Sequence, residues 1–286
     1  MTLWATLAIN SIAFGALLFL LAAGFSLIFG LMRIPNLMHG SFFMLGAYLG
    51  VSLLAVGIDF WIAALASGAA MALIGGGVER FLLRRLAGQD LAQALLTLGL
   101  SFIVSDVCLM VWSGDPWQPL APAALRGVVR SGAIVFPLYR LAVVGIAMAI
   151  AIVLWVMVDW TRLGAMIRAG VNDAPIARVV GIRVSRLFTL VFALGAALAA
   201  FAGVIGAPIL SVYAGLDADM LPLALTVVIL GGTGSLIGAL VGSFVIGFLY
   251  NFGQVRFPDL AYVILFLPMV LVLVLRPQGL FGKSSA

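Results

Sequence analysis

Long apolar runs separated by short polar or glycine-rich stretches fill most of the chain, at 3–31, 38–56, 60–78, 91–112, 138–158, 187–206, 221–232, 236–253 and 261–275. A helix needs about 20 apolar residues to cross a bilayer. The pattern therefore predicts an all-α integral membrane protein, a bundle of eight to nine transmembrane helices with some broken or short segments. Residues 1–286 read as one transmembrane domain, with little room for a separate soluble one. The first run lacks a basic stretch before it and is too long for a signal-peptide core, so it reads as a retained helix.

The twelve residues of 221–232 rise only about 18 Å as a helix, against a hydrocarbon core of about 30 Å. Either this segment borrows Gly-Thr-Gly-Ser (232–235) and residues before Leu221, or it is half of a broken helix at a protein-enclosed cavity. The second reading leaves eight true spans.

Basic residues accumulate on the cytoplasmic side of short loops. Arg80, Arg84 and Arg85 follow the third run, and Arg162, Arg168, Arg178, Arg183 and Arg186 follow the fifth. With both loops inside, alternation also places Arg33, Arg276 and Lys283 inside and Arg126, Arg130, Arg140 and Arg256 outside, eleven basic residues against four. The expected topology has the N-terminus outside and the C-terminus in the cytoplasm.

Small residues recur four apart at Ala22, Ser26 and Gly30, at Gly195, Ala199 and Gly203, and at Gly234, Gly238 and Gly242. Such stripes let helix backbones approach closely. They serve packing within the chain or a seam between two copies.

Composition sharpens the class: 65% hydrophobic residues and 9% charged ones lie far from the roughly 45–50% and 25% of soluble domains. One cysteine, Cys108, excludes an intrachain disulfide and a cysteine cluster for metal. The net charge of +5 is spread over short loops, which argues against a nucleic-acid surface. No metal site, cofactor or catalytic constellation is expected on this chain.

Two glycine patterns imitate nucleotide loops. The tail 279–284 reads GLFGKS, but Pro277 stands where the phosphate-binding motif wants glycine, and no strand precedes it. Gly231, Gly232 and Gly234 lie between membrane segments and read as a helix break.

Pro35 predicts another break, near the cytoplasmic boundary, with Asn36 and His39 beside it. His39 either relays protons or, with no ionisable neighbour in sequence, makes a hydrogen bond that fixes the break. Asp106 lies within an apolar run and should face the bundle interior, as a locally satisfied acid or a contact on a solute path. Asn10, Ser11, Thr97, Ser101, Thr226 and Asn251 are further polar candidates inside runs.

The loop 159–186 carries one more signal. Asn172 or Asp173 can cap a helix, Pro175 suits its first turn and Gly181 can end it, which predicts a two-turn helix. Ile176, Val179 and Val180 form one apolar face with Arg178 off it. That face packs on the protein's own helix ends and headgroups, or docks a cytoplasmic partner.

Four stretches together resemble the permease subunits of ATP-binding-cassette importers for branched-chain amino acids, the LivH-type family. They are Gly30-Leu-Met-Arg-Ile-Pro-Asn-Leu-Met-His-Gly40 running into Met44–Tyr48; Arg168-Ala169 with Asp173, Ala177 and Gly181-Ile182; the glycine-rich 230–239; and the tail 276–282. The resemblance implies a bacterial cytoplasmic-membrane subunit that works with a second permease (a paralogue, or the same chain in a homodimer), two cytoplasmic ATPases and a soluble solute-binding protein. ATP and magnesium belong to the ATPases. Arg168, Asn172, Asp173, Ile176, Ala177, Val179, Val180 and Gly181 become the ATPase-coupling segment. Asn10, Asn36, His39, Thr97, Ser101, Asp106, Thr226 and Tyr250 become candidates for the translocation path. Family members commonly carry Asn at the position of Asp106 and Glu at that of Tyr250, so urea, short amides or aromatic acids compete with branched-chain amino acids as solute. An ion-coupled carrier or channel is the competing class, and it offers no account of the cytoplasmic apolar helix.

Overall fold

The computed structural model describes residues 2–32, 36–131, 134–276 and 278–282. Arg33, Pro35, Pro277, Lys283 and Ser284 lie outside the described residues, so the break expected at Pro35 and the end of the GLFGKS pattern are not described.

Each apolar run becomes a helix: α1 (Thr2–Met32), α2 (His39–Ala55), α3 (Phe60–Phe81), α4 (Asp90–Trp112), α5 (Leu138–Trp160), α8 (Val184–Leu210), α9 (Leu216–Gly231), α10 (Leu236–Arg256) and α11 (Ala261–Leu275). Two short helices, α6 (Arg162–Asn172) and α7 (Ala174–Val179), occupy the long loop between α5 and α8. Among the described residues seven helices are long and apolar enough to cross a membrane: α1, α3, α4, α5, α8, α10 and, with the turn before it, α11. The chain is thus an all-α membrane protein with one small exception. An antiparallel hairpin of β1 (Val128–Ser131) and β2 (Ile134–Pro137), absent from the helical pattern, sits in the connection between α4 and α5.

The short segment at 221–232 grows at its start and not at its end. Helix α9 begins at Leu216, reaching sixteen residues and about 24 Å. The expected contribution from Gly-Thr-Gly-Ser fails, because Gly232 and Gly234 take φ of +98° and +78° and turn the chain into α10.

Helix α1 runs through the centre, packed by α8, α10, α5 and α9. Its middle, from Ala16 to Phe25, is almost wholly buried. The small-residue stripes explain how neighbours come so close: a Cβ on Gly195 would meet the Gly24 carbonyl oxygen at 2.8 Å, and one on Gly203 the Phe43 oxygen at 2.1 Å. Gly238 likewise faces the backbone of Gly231, and Gly234 faces Gly30. These contacts are all within the chain.

Helices α2 and α4 run parallel in a fixed register. Leu37 N–H donates to Thr97 Oγ1 (3.2 Å), the Ser41 and Ser101 hydroxyls lie 2.7 Å apart, and Trp112 Nε1 donates to Ser52 Oγ (2.7 Å), each pair sixty residues apart. Thr97 is seven residues into α4, or about 10 Å at a helical rise. Residues 36–38, just before α2, therefore lie within the bundle, beside the first turns of α4. Backbone groups at that depth need protein partners, and Asn36 Oδ1 and Thr97 Oγ1 supply them to the N–H groups of Met38 and Leu37.

Candidate functional site: coupling segment and buried polar line

Asp173 starts α7 by accepting the Ile176 N–H on Oδ1 at 2.9 Å, with Pro175 in the first turn. Gly181 ends the segment at φ +88°, where its N–H reaches the Arg178 carbonyl and that of Ile182 reaches Ala177. Only a residue free of a Cβ adopts this turn cheaply. Ala177 is the buried anchor at 2% exposure, whereas Ile176, Val179 and Val180 stand 62%, 88% and 69% exposed. The apolar face foreseen from the sequence is thus uncovered by this chain. Asn172 closes α6, and its side chain lies outside the described residues. Arg168 points away from the knob, toward the Val158 carbonyl and Asp159, and fastens α6 to the end of α5.

A cavity of about 270 Å³ lies on the other side of α7, between Arg178 and the ends of α3, α4 and α8. Beside it Arg84 pairs with buried Glu79 at 3.1 Å and donates to the Ser185 carbonyl at 2.9 Å, while Thr189 bonds Glu79. A buried carboxylate is tolerable only when paired in this way. Glu79 stands beside Arg80 and five residues before Arg84, a spacing that places acid and base within reach at the end of the third apolar run.

The buried residues of α4 are Gln93, Thr97, Ser101 and Cys108, so this helix turns a largely polar stripe inward and Leu91, Leu95, Phe102, Ile103 and Leu109 outward. Thr97 and Asn36 border a small space of about 10 Å³. One level up, Ser101 donates to Ser41, and Ser41 donates to Asp217 Oδ2 at 3.0 Å. Asp217, from the first turn of α9, is 6% exposed. Asp217 precedes the apolar run at 221–232, so hydropathy alone places it in a loop, whereas the helix begins at Leu216.

His39 is fully buried, and its Nε2 donates to the Leu21 carbonyl of α1 at 3.0 Å. The ring thus pins the start of α2 to mid-α1, packed at 5.1 Å from Phe25. Thr226 is also buried, but donates locally to the Pro222 carbonyl. Asn10 and Tyr250 are half-buried elsewhere, Tyr250 stacked on Phe14 at 4.7 Å. Asp106 corrects the expectation outright: it is exposed on the outer face of α4. The inward stripe of α4 is spaced by four from Gln93, and Asp106 falls off that line.

The helix-break glycines close a joint. A Cβ on Gly30 would lie 2.5 Å from Gly234 Cα, and one on Gly279 would lie 2.4 Å from Gly232 Cα. The N–H groups of Leu280 and Phe281 reach the carbonyls of Leu230 and Gly231, both at 3.0 Å. The tail is therefore a cap on α9.

Residues 7–273 match the family model described as branched-chain amino acid transport system, permease component. The chain belongs to that family. It is 28% identical to the high-affinity branched-chain amino acid permease protein BraD of Pseudomonas aeruginosa, covering 97% of this chain and 95% of that one. Identity to LivH of Escherichia coli K12 is also 28%, over 96% of this chain and 94% of the relative. The ribose import permease RbsC of the same organism is 37% identical over only 34% of this chain and 32% of its own. Among solved structures, PsaBC from Streptococcus pneumoniae in complex with Fab covers 93% of this chain and is itself covered to 89%, with 16% identity and a TM-score of 0.48. The protein is accordingly a transport component, a permease of the ATP-binding-cassette importer class.

Proposed function

We propose that this chain is the translocating subunit through which an ATP-driven importer moves branched-chain or related neutral amino acids across the bacterial cytoplasmic membrane. A soluble binding protein delivers the solute, a second permease completes the membrane part, and two separate ATPases supply the energy with ATP and magnesium. The observation that carries the reading is α7. Its six residues are too few to be stable alone, yet they hold Ile176, Val179 and Val180 out into solvent. Insertion into a groove of an ATPase covers that face, and movement of the groove then pulls on α6 and α8 through Ala177 and the Gly181 turn.

Orientation follows from charge, with the N-terminus outside and the C-terminus inside as one integral domain. In support, Arg84 after α3 bonds Ser185 at the start of α8, so two of the basic clusters share one side of the bundle. Asn36, His39, Thr97 and Ser101 line the joint between α1, α2 and α4, where they act on the path by holding helices in register.

Purification in mild detergent followed by identification of the partners tests the complex, and the expected set contains an ATPase and a second permease. Reconstituted with the binding protein, the importer should take up leucine in preference to urea, a short amide or an aromatic acid. Uptake without any ATPase would establish the carrier reading instead, and preference for another member of the panel would replace the solute.

A further inference from the structure

The cavity of about 270 Å³ beside α7 is bounded by distant parts of the chain: the end of α3 with the turn after it, the first turn of α4 and the start of α8. Helix α7 adds Arg178. The volume falls just below the roughly 300–1,000 Å³ of pockets for drug-sized molecules, which suits a small metabolite.

The polar groups around it fall into two classes. Glu79 is already paired, with Arg84 and with Thr189. Arg178 and Asp90, by contrast, are exposed at the open side and form no ion pair or side-chain hydrogen bond among the described residues. Two buried atoms of lining residues, Arg84 Nε and Gln93 Oε1, also lack a partner. Gln93 is 4% exposed, and its Nε2 donates to the Leu86 carbonyl at 2.8 Å, which fixes the amide and leaves its oxygen unmatched. A buried polar atom without a partner is destabilising, and a ligand that meets it relieves the cost.

The chemistry of the ligand follows from these groups. A bare phosphate is opposed by Asp90 and Glu79, and a bare cation by the two arginines. A molecule that carries one carboxylate and one ammonium group finds a partner for each. Met32, Leu83 and Phe188 line the remainder, an apolar wall for an aliphatic side chain.

We propose that this cavity binds a free α-amino acid from the cytoplasm, its carboxylate toward Arg178 and its ammonium toward Asp90 and Gln93 Oε1, and that occupancy slows import. The binding stands on the cavity alone, whereas the regulatory half rests on the importer reading. An occupant that bridges Arg178 of α7 to Asp90 of α4, against Phe188 of α8, ties the docking helix to the bundle. It inhibits to the extent that it binds this arrangement better than the one the ATPase cycle produces. Product gathering inside then restrains its own uptake.

The purified permease–ATPase complex, without the binding protein, should bind L-leucine in a calorimetric titration. It should ignore isovalerate and isoamylamine, which carry one charge each. Asp90→Asn removes the partner of the ammonium group and should weaken binding about tenfold, as loss of a contact to a charged group does. Ala87→Trp, at an exposed lining position, should fill the cavity and abolish binding. In a host without other leucine carriers, preloading cells with leucine should lower the initial uptake rate of the wild type and not that of either variant, each measured against its own unloaded rate. No binding by the wild-type complex, or binding that both variants retain, overturns the site. A phospholipid held there in place of leucine and expelled by Ala87→Trp would make the occupant a headgroup and overturn the amino acid. Binding with no effect of preloading, or an effect that both variants share, overturns the regulation. Absence of any ATP-dependent uptake is a different result: it strikes the importer reading and leaves the calorimetric one standing.

Discussion

Leu280 donates its backbone N–H to the Leu230 carbonyl at 3.0 Å, so the end of the chain closes the open C-terminus of α9. The last carbonyls of a helix have no partner within it, and the tail supplies one. Gly279 makes the approach possible, with φ +80° and contact against Gly232. Through Gly234 and Gly30 the same joint takes in the end of α1.

Gly279→Ala should therefore loosen the joint. The left-handed conformation and the 2.4 Å approach to Gly232 both penalise a methyl group, at about 1–3 kcal/mol for the backbone alone. A clear drop in the thermal-unfolding midpoint of the purified protein is expected; an unchanged midpoint would mean that the tail contributes nothing to stability.

Val179→Glu should abolish uptake and uncouple the ATPase while membrane insertion stays normal. Val179 is 88% exposed, so the fold tolerates the change. A groove that covers it does not, because a buried charge without a partner is costly. ATPase stimulation by the loaded binding protein is the sensitive readout, and normal coupling by the variant would remove α7 as the docking element.

Ser41→Ala should destabilise the membrane part by about 1–3 kcal/mol, the cost of stripping a hydrogen bond from a buried polar group. Asp217→Asn should be milder, since the amide oxygen still accepts from Ser41 and no charge remains to be buried. The order of the two midpoints in detergent checks this, and a larger loss for Asn would show that the ionised carboxylate itself is needed.

Topology can be read with single cysteines at exposed positions in a Cys108→Ala background. Gly127→Cys should react with a membrane-impermeant thiol reagent in intact cells, and Ala165→Cys only after the membrane is opened. The opposite pattern would invert the orientation inferred from charge.

The helices themselves were legible because each apolar run is a nearly local property: burying backbone in lipid demands internal hydrogen bonds, and the run's length sets the span. The α7 segment was legible for a similar reason. Asp173, Pro175 and Gly181 act on their own neighbours, so cap, first turn and stop can be written down without knowing the fold. Asp217 was not legible, since its partner Ser41 lies far along the chain, and for Glu79 the pair with Arg84 is local while the burial and the Thr189 contact come from packing on α8.

By itself, then, the sequence determined the class of protein, the place of its apolar runs, the cap, first turn and stop of α7, and the family. Tertiary structure alone decided which face of α4 turns inward, what Asn36 and Leu37 meet before α2, and that the tail caps α9. Asp106 shows the reason. Hydropathy reports that a carboxylate lies within a span, but its environment depends on the rotation of α4, and that rotation is set by hydrogen bonds to residues sixty positions away at Leu37, Ser41 and Ser52. Periodicity within one helix gives the stripe, and only packing between helices chooses what the stripe meets.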